Sequence, residues 1–153
     1  MDVRQELFIA VPVEDELAIR NLLARYGDAV CRRDPAAWIA NWAPDCVWDL
    51  GGGRVTHGHE ETLDLWRSSI VKYPWVAQLP TSGSLELVDG IVHGTWYVLE
   101  LNHTPDGSGV MHLGHYLDTY ARSADGWRFA TRRFHLIYRG AMDPGTVRPL
   151  EGI

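Results

Sequence analysis

Side chains of the types that transfer protons occupy alternating positions in two predicted strands. Successive residues of a strand point to opposite faces, so His112, Tyr116 and Asp118 share one side of their strand. Glu100 lies on one side of the preceding strand, which we expect to face inward. Burial would raise the pKa of this glutamate towards neutrality, and histidine titrates there without help. Glu100 and His112 are therefore candidates for general acid–base catalysis.

The same side chains also have structural interpretations. Glu100 could instead form an ion pair across the sheet with Arg132 or Arg133, and such a pair would serve only the fold. We expect Asp118 to orient a tyrosine or an arginine rather than to perform chemistry.

Three helices are predicted ahead of the strands, because apolar residues recur there at the three-and-four spacing of one helix face. Asp34 and Pro35 are typical of an N-cap followed by proline at the first helical position. Asp28 falls opposite the apolar face, where Arg32 is a surface partner four residues on. The predicted helices are Glu14–Arg32, Pro35–Trp42 and Glu60–Val71.

A short strand is predicted at Cys46–Leu50, and long strands follow from Ser84 onward. Turns at Asp89-Gly90, 105–109 and Asp125-Gly126 connect four of them as a meander. Long antiparallel strands twist and curl, and only the helices are available to cover the concave face. The predicted fold is therefore α+β, a cone-shaped curved antiparallel sheet covered by three N-terminal helices and enclosing a pocket.

Length and composition exclude several classes of protein. A chain of 153 residues fits one domain, residues 1–153, and a net charge of -6 argues against a nucleic-acid partner. No apolar run approaches the roughly 18 residues of a membrane span, and the start of the chain has no signal-peptide pattern. Cys31 and Cys46 form no disulfide framework, so we expect a cytoplasmic protein. No metal-binding spacing and no phosphate-binding loop is present, so we expect no metal and no cofactor.

Short motifs spread over residues 14–139 carry a family resemblance. They are Arg25-Tyr26, Asp34, the run from Trp42 to Trp48, Gly58, Gly94-Thr95-Trp96-Tyr97, Gly114-His115-Tyr116-Leu117-Asp118 and Asp125-Gly126-Trp127-Arg128-Phe129. In these motifs the chain resembles the SnoaL-like branch of the nuclear transport factor 2-like superfamily, the group that contains scytalone dehydratase-like enzymes. That superfamily includes dehydratases, isomerases, cyclases and non-catalytic members, so the resemblance implies a fold rather than one reaction.

The resemblance turns the His112 side of its strand towards the pocket. We expect His112 and Glu100 to move protons there, with Tyr26 reaching in from the first helix. The seven tryptophans and six tyrosines suit either a large core or the walls of a ligand cavity. The predicted substrate-binding residues are Trp48, Trp66, Gln78, Trp96, Asn102, Tyr116, Cys31 and Arg133.

The chain departs from the dehydratases of this group at their usual catalytic pair. These enzymes set a histidine near the start of the first long strand against an aspartate at the end of helix one. Counted from Tyr26, the aspartate position holds Cys31, and the histidine region, residues 76–81, has no histidine. A dehydratase mechanism therefore does not carry over directly.

The sequence favours a cofactor-independent acid–base enzyme of the dehydratase, isomerase or cyclase type, acting on a small hydrophobic ring-containing metabolite. The alternative is a non-catalytic small-molecule-binding or accessory protein that kept the pocket and lost the chemistry. We also expect a homodimer formed through the apolar outer face of the sheet. The side chains predicted on that face are Tyr97, Leu99, Leu101, Leu113 and Leu117.

Overall fold

The computed structural model describes residues 10–143 and 145–147 of the chain. Three helices and two short strands come first, and four long strands follow. The elements are α1 (Val13–Arg32), α2 (Pro35–Ile39), β1 (Trp42–Asp49), β2 (Val55–His57), α3 (Gly58–Ile70), β3 (Trp75–Val88), β4 (Ile91–His103), β5 (Gly109–Ser123) and β6 (Gly126–Met142). Residues 1–9, where the sequence predicts no signal peptide, lie outside the described range.

The strands form a six-stranded sheet in the order β2-β1-β6-β5-β4-β3. Strands β3 to β6 are a meander of antiparallel neighbours, as predicted. Asp89 and Gly90 both have positive φ, 51° and 79°, which is the geometry that matches a two-residue turn to the twist of its strands. Helices α1 and α3 pack against the curved sheet, and the predicted α+β cone fold is confirmed.

The sheet is mixed, which corrects the prediction of a wholly antiparallel one. Strand β1 runs parallel to β6, with Trp48 beside Arg132 and Asp49 beside Arg133. Parallel neighbours need a long connection, and the segment from β2 through β5 provides it. The first strand of the chain therefore joins the sheet beside the last one.

Strand β3 begins at Trp75, earlier than predicted. A bulge between Pro80 and Gly83 accommodates both residues, which otherwise suggest that no strand passes through them. The added length places Gln78 directly opposite Glu100 of β4. The three-residue β2 was not predicted, because so short a segment has no periodic pattern.

The helices begin and end close to the predicted residues, except that α2 ends at Ile39 because the chain soon enters β1. On α1, Arg32 Nε donates to Asp28 at 3.1 Å on the exposed face, as expected. At the start of α2, Asp34 Oδ1 accepts from the backbone N–H groups of Ala36 and Ala37, both at 3.0 Å. No helix among the described residues is long and apolar enough to cross a membrane.

The Asp34 cap gives a stability prediction. Asp34→Ala removes the only side chain acceptor for two N–H groups of α2, so the free energy of unfolding should fall by about 1 kcal/mol. Asp34→Asn keeps a capping oxygen and is the matched control, expected to lose only a few tenths. Urea denaturation followed by tryptophan fluorescence measures both, and equal losses in the two variants would contradict a capping role.

Much of the aromatic content forms a solid core rather than a cavity wall. Trp38 stacks on Trp66 with ring centroids 4.9 Å apart and an interplanar angle of 18°. Trp38, Trp42 and Phe129 are no more than 1% exposed. These rings anchor α2 and α3 to the sheet, and the cavity opens beside them.

Candidate active site

A cavity of about 620 Å³ opens between the helices and the concave face of the sheet. Such a volume suits a small organic ligand. Its inner wall is mainly apolar and aromatic, formed by Tyr26, Val30, Trp48, Trp66, Val98 and Phe134. Three neighbouring strands contribute polar side chains to it: Gln78 of β3, Glu100 of β4, and His112 and Tyr116 of β5.

Glu100 is at the centre of this polar group. Its Oε2 accepts a hydrogen bond from Gln78 Nε2 at 2.8 Å, and its Oε1 accepts one from Asn102 Nδ2 at 3.0 Å. His112 Nδ1 lies 3.4 Å from the same Oε1. The sheet register explains the arrangement, since Gln78, Glu100 and His112 are paired across β3, β4 and β5.

The pKa of Glu100 is shifted in the direction opposite to the sequence expectation. Burial raises it, but hydrogen bonds from His112, Gln78 and Asn102 together outweigh burial, so the pKa lies below its ordinary value. The expectation was wrong because neighbouring strands supply hydrogen-bond donors that stabilise the ionised form of Glu100. Glu100 is therefore an ionised carboxylate near neutral pH.

The hydrogen bonds of His112 assign its tautomer. Arg139 Nε–H donates to His112 Nε2 at 3.2 Å, so Nε2 carries a lone pair. The ring proton then lies on Nδ1, 3.4 Å from Glu100 Oε1, and Asn102 Nδ2, which is 3.1 Å from Nδ1, donates to Glu100 instead. Nε2 is thus the basic nitrogen, and Glu100 orients the ring through its contact with Nδ1.

The Glu100 carboxylate also predicts a pH dependence of stability. Because its pKa is lower in the folded chain than in the unfolded one, the ionised group stabilises the fold above its unfolded pKa of about 4.3. That contribution is lost as the pH falls through the folded pKa. Glu100→Gln should therefore cost about 1–2 kcal/mol at pH 7, and the cost should shrink in acid.

Urea denaturation of the wild type and Glu100→Gln at a series of pH values measures this effect. Glu86→Gln, which removes an exposed carboxylate from β3, is the control and should keep the wild-type profile. A cost for Glu100→Gln that stays constant from neutral pH into acid would show that the ionised group contributes nothing.

Arg132 is buried among three aromatic rings next to the cavity. Its guanidinium carbon lies 4.4 Å from the ring centroid of Tyr26 and 3.9 Å from those of Tyr116 and Phe129. Its Nε and Nη2 donate to the two oxygens of Asp118, both at 2.8 Å, so Asp118 orients an arginine. Burial raises the pKa of both tyrosines, which are neutral phenols.

The orientation predicted for Arg133 is wrong. A bulge inserts one extra residue into β6 after Phe129, which turns Arg132 inward and leaves Arg133 outward. Arg133 is 61% exposed and pairs with Asp49 at 2.9 Å, away from the cavity. Glu100 forms a salt bridge with neither arginine, so the alternative of a cross-sheet ion pair is also wrong.

The family model of the SnoaL-like domain matches residues 11–133. The chain belongs to this family. The match covers most of the chain, including the helices and nearly all of the elements that line the cavity. It confirms the SnoaL-like branch predicted from the sequence. A comparison with curated protein sequences finds no match.

Solved structures similar to this SnoaL-like chain include a type 2 hexachlorocyclohexane dehydrochlorinase (LinA), with a TM-score of 0.79 and 23% identity over 92% of this chain and 97% of the other. LinA in a second structure has a TM-score of 0.76 and 25% identity over 92% of each chain. A candidate scytalone dehydratase from Novosphingobium aromaticivorans has a TM-score of 0.78 at 13% identity, over 92% of this chain and 96% of the other. These likenesses support the cone-shaped fold.

Cys31 contacts Gln78, which lies in the segment 76–81. Gln78 N–H donates to Cys31 Sγ at 3.2 Å. The Gln78 side chain reaches the cavity, but Cys31 lines a separate surface groove beside α1, which corrects its prediction as a substrate contact. Burial raises the pKa of the Cys31 thiol, so it is a neutral thiol that fills space.

Trp96 also lies outside the cavity, contrary to prediction. Its indole covers Gly83 and Gly94, where an added Cβ would lie 2.3 and 2.7 Å from ring atoms. The ring donates Nε1–H to Tyr120 Oη at 2.7 Å, and Arg20 stacks on it at 5.0 Å. Because these glycines have no side chain, the indole can lie over them, where it borders the groove beside α1.

The remaining predicted site residues are near the cavity. Tyr26, Trp48, Trp66, Gln78, Glu100, His112 and Tyr116 line it. Asn102 is fully buried and contacts Glu100 and His112 rather than lining the cavity itself. Among the described residues, no three His, Cys, Asp or Glu side chains gather as a metal site.

Three cations that border the cavity, Arg54, Lys72 and Arg139, were not predicted. Arg54 and Lys72 lie in connecting segments, where no periodicity assigns a face. Simple alternation counted from Phe129 places Arg139 on the inward face. This placement is correct because the two one-residue bulges in β6 cancel each other.

Proposed function

We propose that the cavity is the active site of a cofactor-independent enzyme that removes a proton from carbon, in an elimination or an isomerisation of a small hydrophobic ring compound. The observation that carries this proposal is the ionised Glu100 behind His112 in the wall of a largely apolar cavity. Membership of the SnoaL-like family and the similarity to a dehydrochlorinase support it. The pair of residues is different from that of the dehydratases.

In the proposed reaction His112 Nε2 takes the proton. The electrons of the C–H bond form a new carbon–carbon π bond, and the leaving group departs with its own electron pair. In an isomerisation, the imidazolium instead returns the proton to another carbon. Glu100 stabilises the imidazolium because the two groups are adjacent and of opposite charge. Tyr26 and Tyr116, as neutral phenols, form hydrogen bonds with the substrate.

Arg139 must release His112 before this chemistry can begin. Its Nε occupies the Nε2 lone pair at 3.2 Å in the structure. Arg139 is exposed at the rim, so its side chain can turn towards a bound substrate. There its charge would stabilise the developing negative charge on a leaving group or an enolate.

A general probe tests the proposal without knowledge of the natural substrate. Nitrobenzisoxazole opens to a coloured nitrophenolate when a base removes its ring C–H proton, because the N–O bond then breaks. We expect the wild type to turn it over with saturation, well above the rate with the same concentration of free imidazole.

Two serines on α3 supply a matched pair of cavity variants. Ser69 lines the cavity and its neighbour Ser68 is exposed. Ser69→Trp places an indole in the cavity and should abolish the saturable rate, whereas Ser68→Trp should keep it. A wild-type rate no higher than that of imidazole, or one that survives Ser69→Trp, would overturn the proposed function.

A binding protein is the second candidate, favoured by Cys31 at the expected aspartate position and by the lack of a histidine in residues 76–81. It differs from the enzyme in one measurable respect. It would bind a ring compound in a manner that Ser69→Trp abolishes, while showing no turnover of the probe.

We also propose that the outer face of the sheet pairs with a second copy of the chain. Tyr97 and Leu117 are each 42% exposed there, and Tyr138 is 47% exposed. Tyr97→Lys with Leu117→Lys should give monomers in sedimentation velocity, and a wild type that is already monomeric at micromolar concentration would refute the dimer.

A further inference from the structure

The cavity has a charge opposite to that of the protein as a whole. The chain has a net charge of -6, yet the fully charged side chains that border the cavity are three cations and one carboxylate. The cations are Arg54, Lys72 and Arg139, and the carboxylate is Glu100. A set of cations at the mouth of one cavity focuses a positive potential there.

Within the part of the chain that the structure describes, none of the three cations has a carboxylate partner. The salt bridges among the described residues involve neither Arg54, Lys72 nor Arg139. Arg54 donates only to the backbone carbonyls of Leu50 and Gly51, and Arg139 donates to His112. The three positive charges are therefore available to a ligand.

The Glu100 carboxylate does not neutralise this rim. Its oxygens accept from Gln78 and Asn102 and face His112 on the inner wall. Its charge is thus stabilised locally by the residues behind the cavity. The cations lie in other segments, the β1–β2 connection, the segment after α3 and the end of β6, and none of them pairs with Glu100.

Polarity also changes with depth. Arg54, Lys72 and Arg139 are exposed, whereas Trp48, Trp66 and other wall residues are buried. A ligand that fits both regions has an apolar ring for the wall and a negative group for the rim. A neutral hydrocarbon-like ligand would leave the rim cations without a function in binding.

We propose that the substrate is a ring-containing carboxylic acid whose carboxylate binds at the Arg54, Lys72 and Arg139 rim. The proposal rests on the proposed function only in taking this cavity as the substrate site. Binding of the carboxylate would also draw Arg139 away from His112 Nε2. The substrate itself would then uncover the base.

Calorimetric titration with naphthoate and naphthamide tests the proposal, because the two probes share the ring and differ in charge. At low ionic strength and pH 8 we expect naphthoate to bind at least about tenfold more tightly. Added salt should reduce the preference. Ser69→Trp should abolish binding of both probes, which places them in the cavity.

Charge variants then assign the preference to the rim. Arg54→Gln with Lys72→Gln should reduce it to about threefold or less, with naphthamide affinity unchanged. Arg25→Gln with Arg67→Gln removes the same charge from exposed positions outside the cavity and should keep the preference. Arg54→Lys, which retains the charge but loses the forked contacts to the backbone, should also keep it.

Equal affinity for the two probes, or a preference unchanged in the rim variant, would overturn the proposal. Failure of the proposed function is a separate result, because it is measured by turnover of nitrobenzisoxazole. A preference for naphthoate without turnover would leave a binding protein for ring-containing acids.

Discussion

The His112→Ala variant is expected to lose about 10²- to 10⁴-fold in kcat/KM towards nitrobenzisoxazole, the usual contribution of a positioned general base. His112 Nε2 is the basic nitrogen at the cavity surface, and Tyr26 and Tyr116 are neutral phenols that cannot replace it. The loss should appear in kcat, because the imidazole contributes little area to the wall.

His57→Ala is the control for this variant. His57 is an exposed residue at the end of β2, and it does not line the cavity. Its removal should leave the rate unchanged. Similar rates for His112→Ala and the wild type, with both proteins folded by circular dichroism, would mean that another group is the base.

Glu100 is predicted to act through His112 as a positioning residue. Glu100→Gln should lower kcat by about 10- to 100-fold while KM stays within a factor of about two, since the isosteric amide keeps the shape of the wall. A purely structural role would instead raise KM, and would leave kcat per folded molecule intact.

The second large effect is expected at the buried ion pair. Asp118→Ala leaves the Arg132 charge without its partner inside the core, and this should cost about 3–5 kcal/mol of stability. Both side chains are 0% exposed. Burial lowers the pKa of Arg132, but the Asp118 carboxylate outweighs burial and raises it, so the guanidinium stays charged and cannot escape the cost by losing its proton.

Two further variants separate charge burial from lost packing. Arg133→Ala breaks the exposed pair with Asp49 and should cost less than about 1 kcal/mol. Asp118→Leu with Arg132→Met removes both charges together and should recover most of the stability lost in Asp118→Ala. Urea denaturation measures all three. A cost for Asp118→Ala no larger than that of Arg133→Ala would show that the buried charge is solvated.

The sequence identified the elements whose signals are local. The helices follow from apolar spacing, the Asp34 cap and proline, and the hairpin follows from Asp89-Gly90, whose positive φ values the structure shows. Alternation along β4 and β5 also placed Glu100 and His112 on one face correctly, because neither strand contains an extra residue.

Other features depend on how distant segments meet. The parallel pairing of β1 with β6 joins residues at opposite ends of the chain, and no local pattern encodes it. The bulge after Phe129 that exchanges the orientations of Arg132 and Arg133 is set by the fit between two strands. Trp96 lies outside the cavity, because Gly83 and Gly94 have no side chains and its ring can lie over them.

The chemistry of the site was decided by tertiary structure for the same reason. The sequence supplied a glutamate and a histidine, but the pKa of Glu100 depends on donors from three strands, and these outweigh burial. The sequence did not predict the rim cations, because two of them lie in connecting segments and one near the end of β6, and only the fold brings these segments to one cavity. The sequence by itself determined the cone-shaped fold that encloses the cavity, most of its helices and strands, and its candidate acid–base residues. Contacts between distant segments decided their protonation and their facing directions, because pKa and orientation depend on neighbours in space.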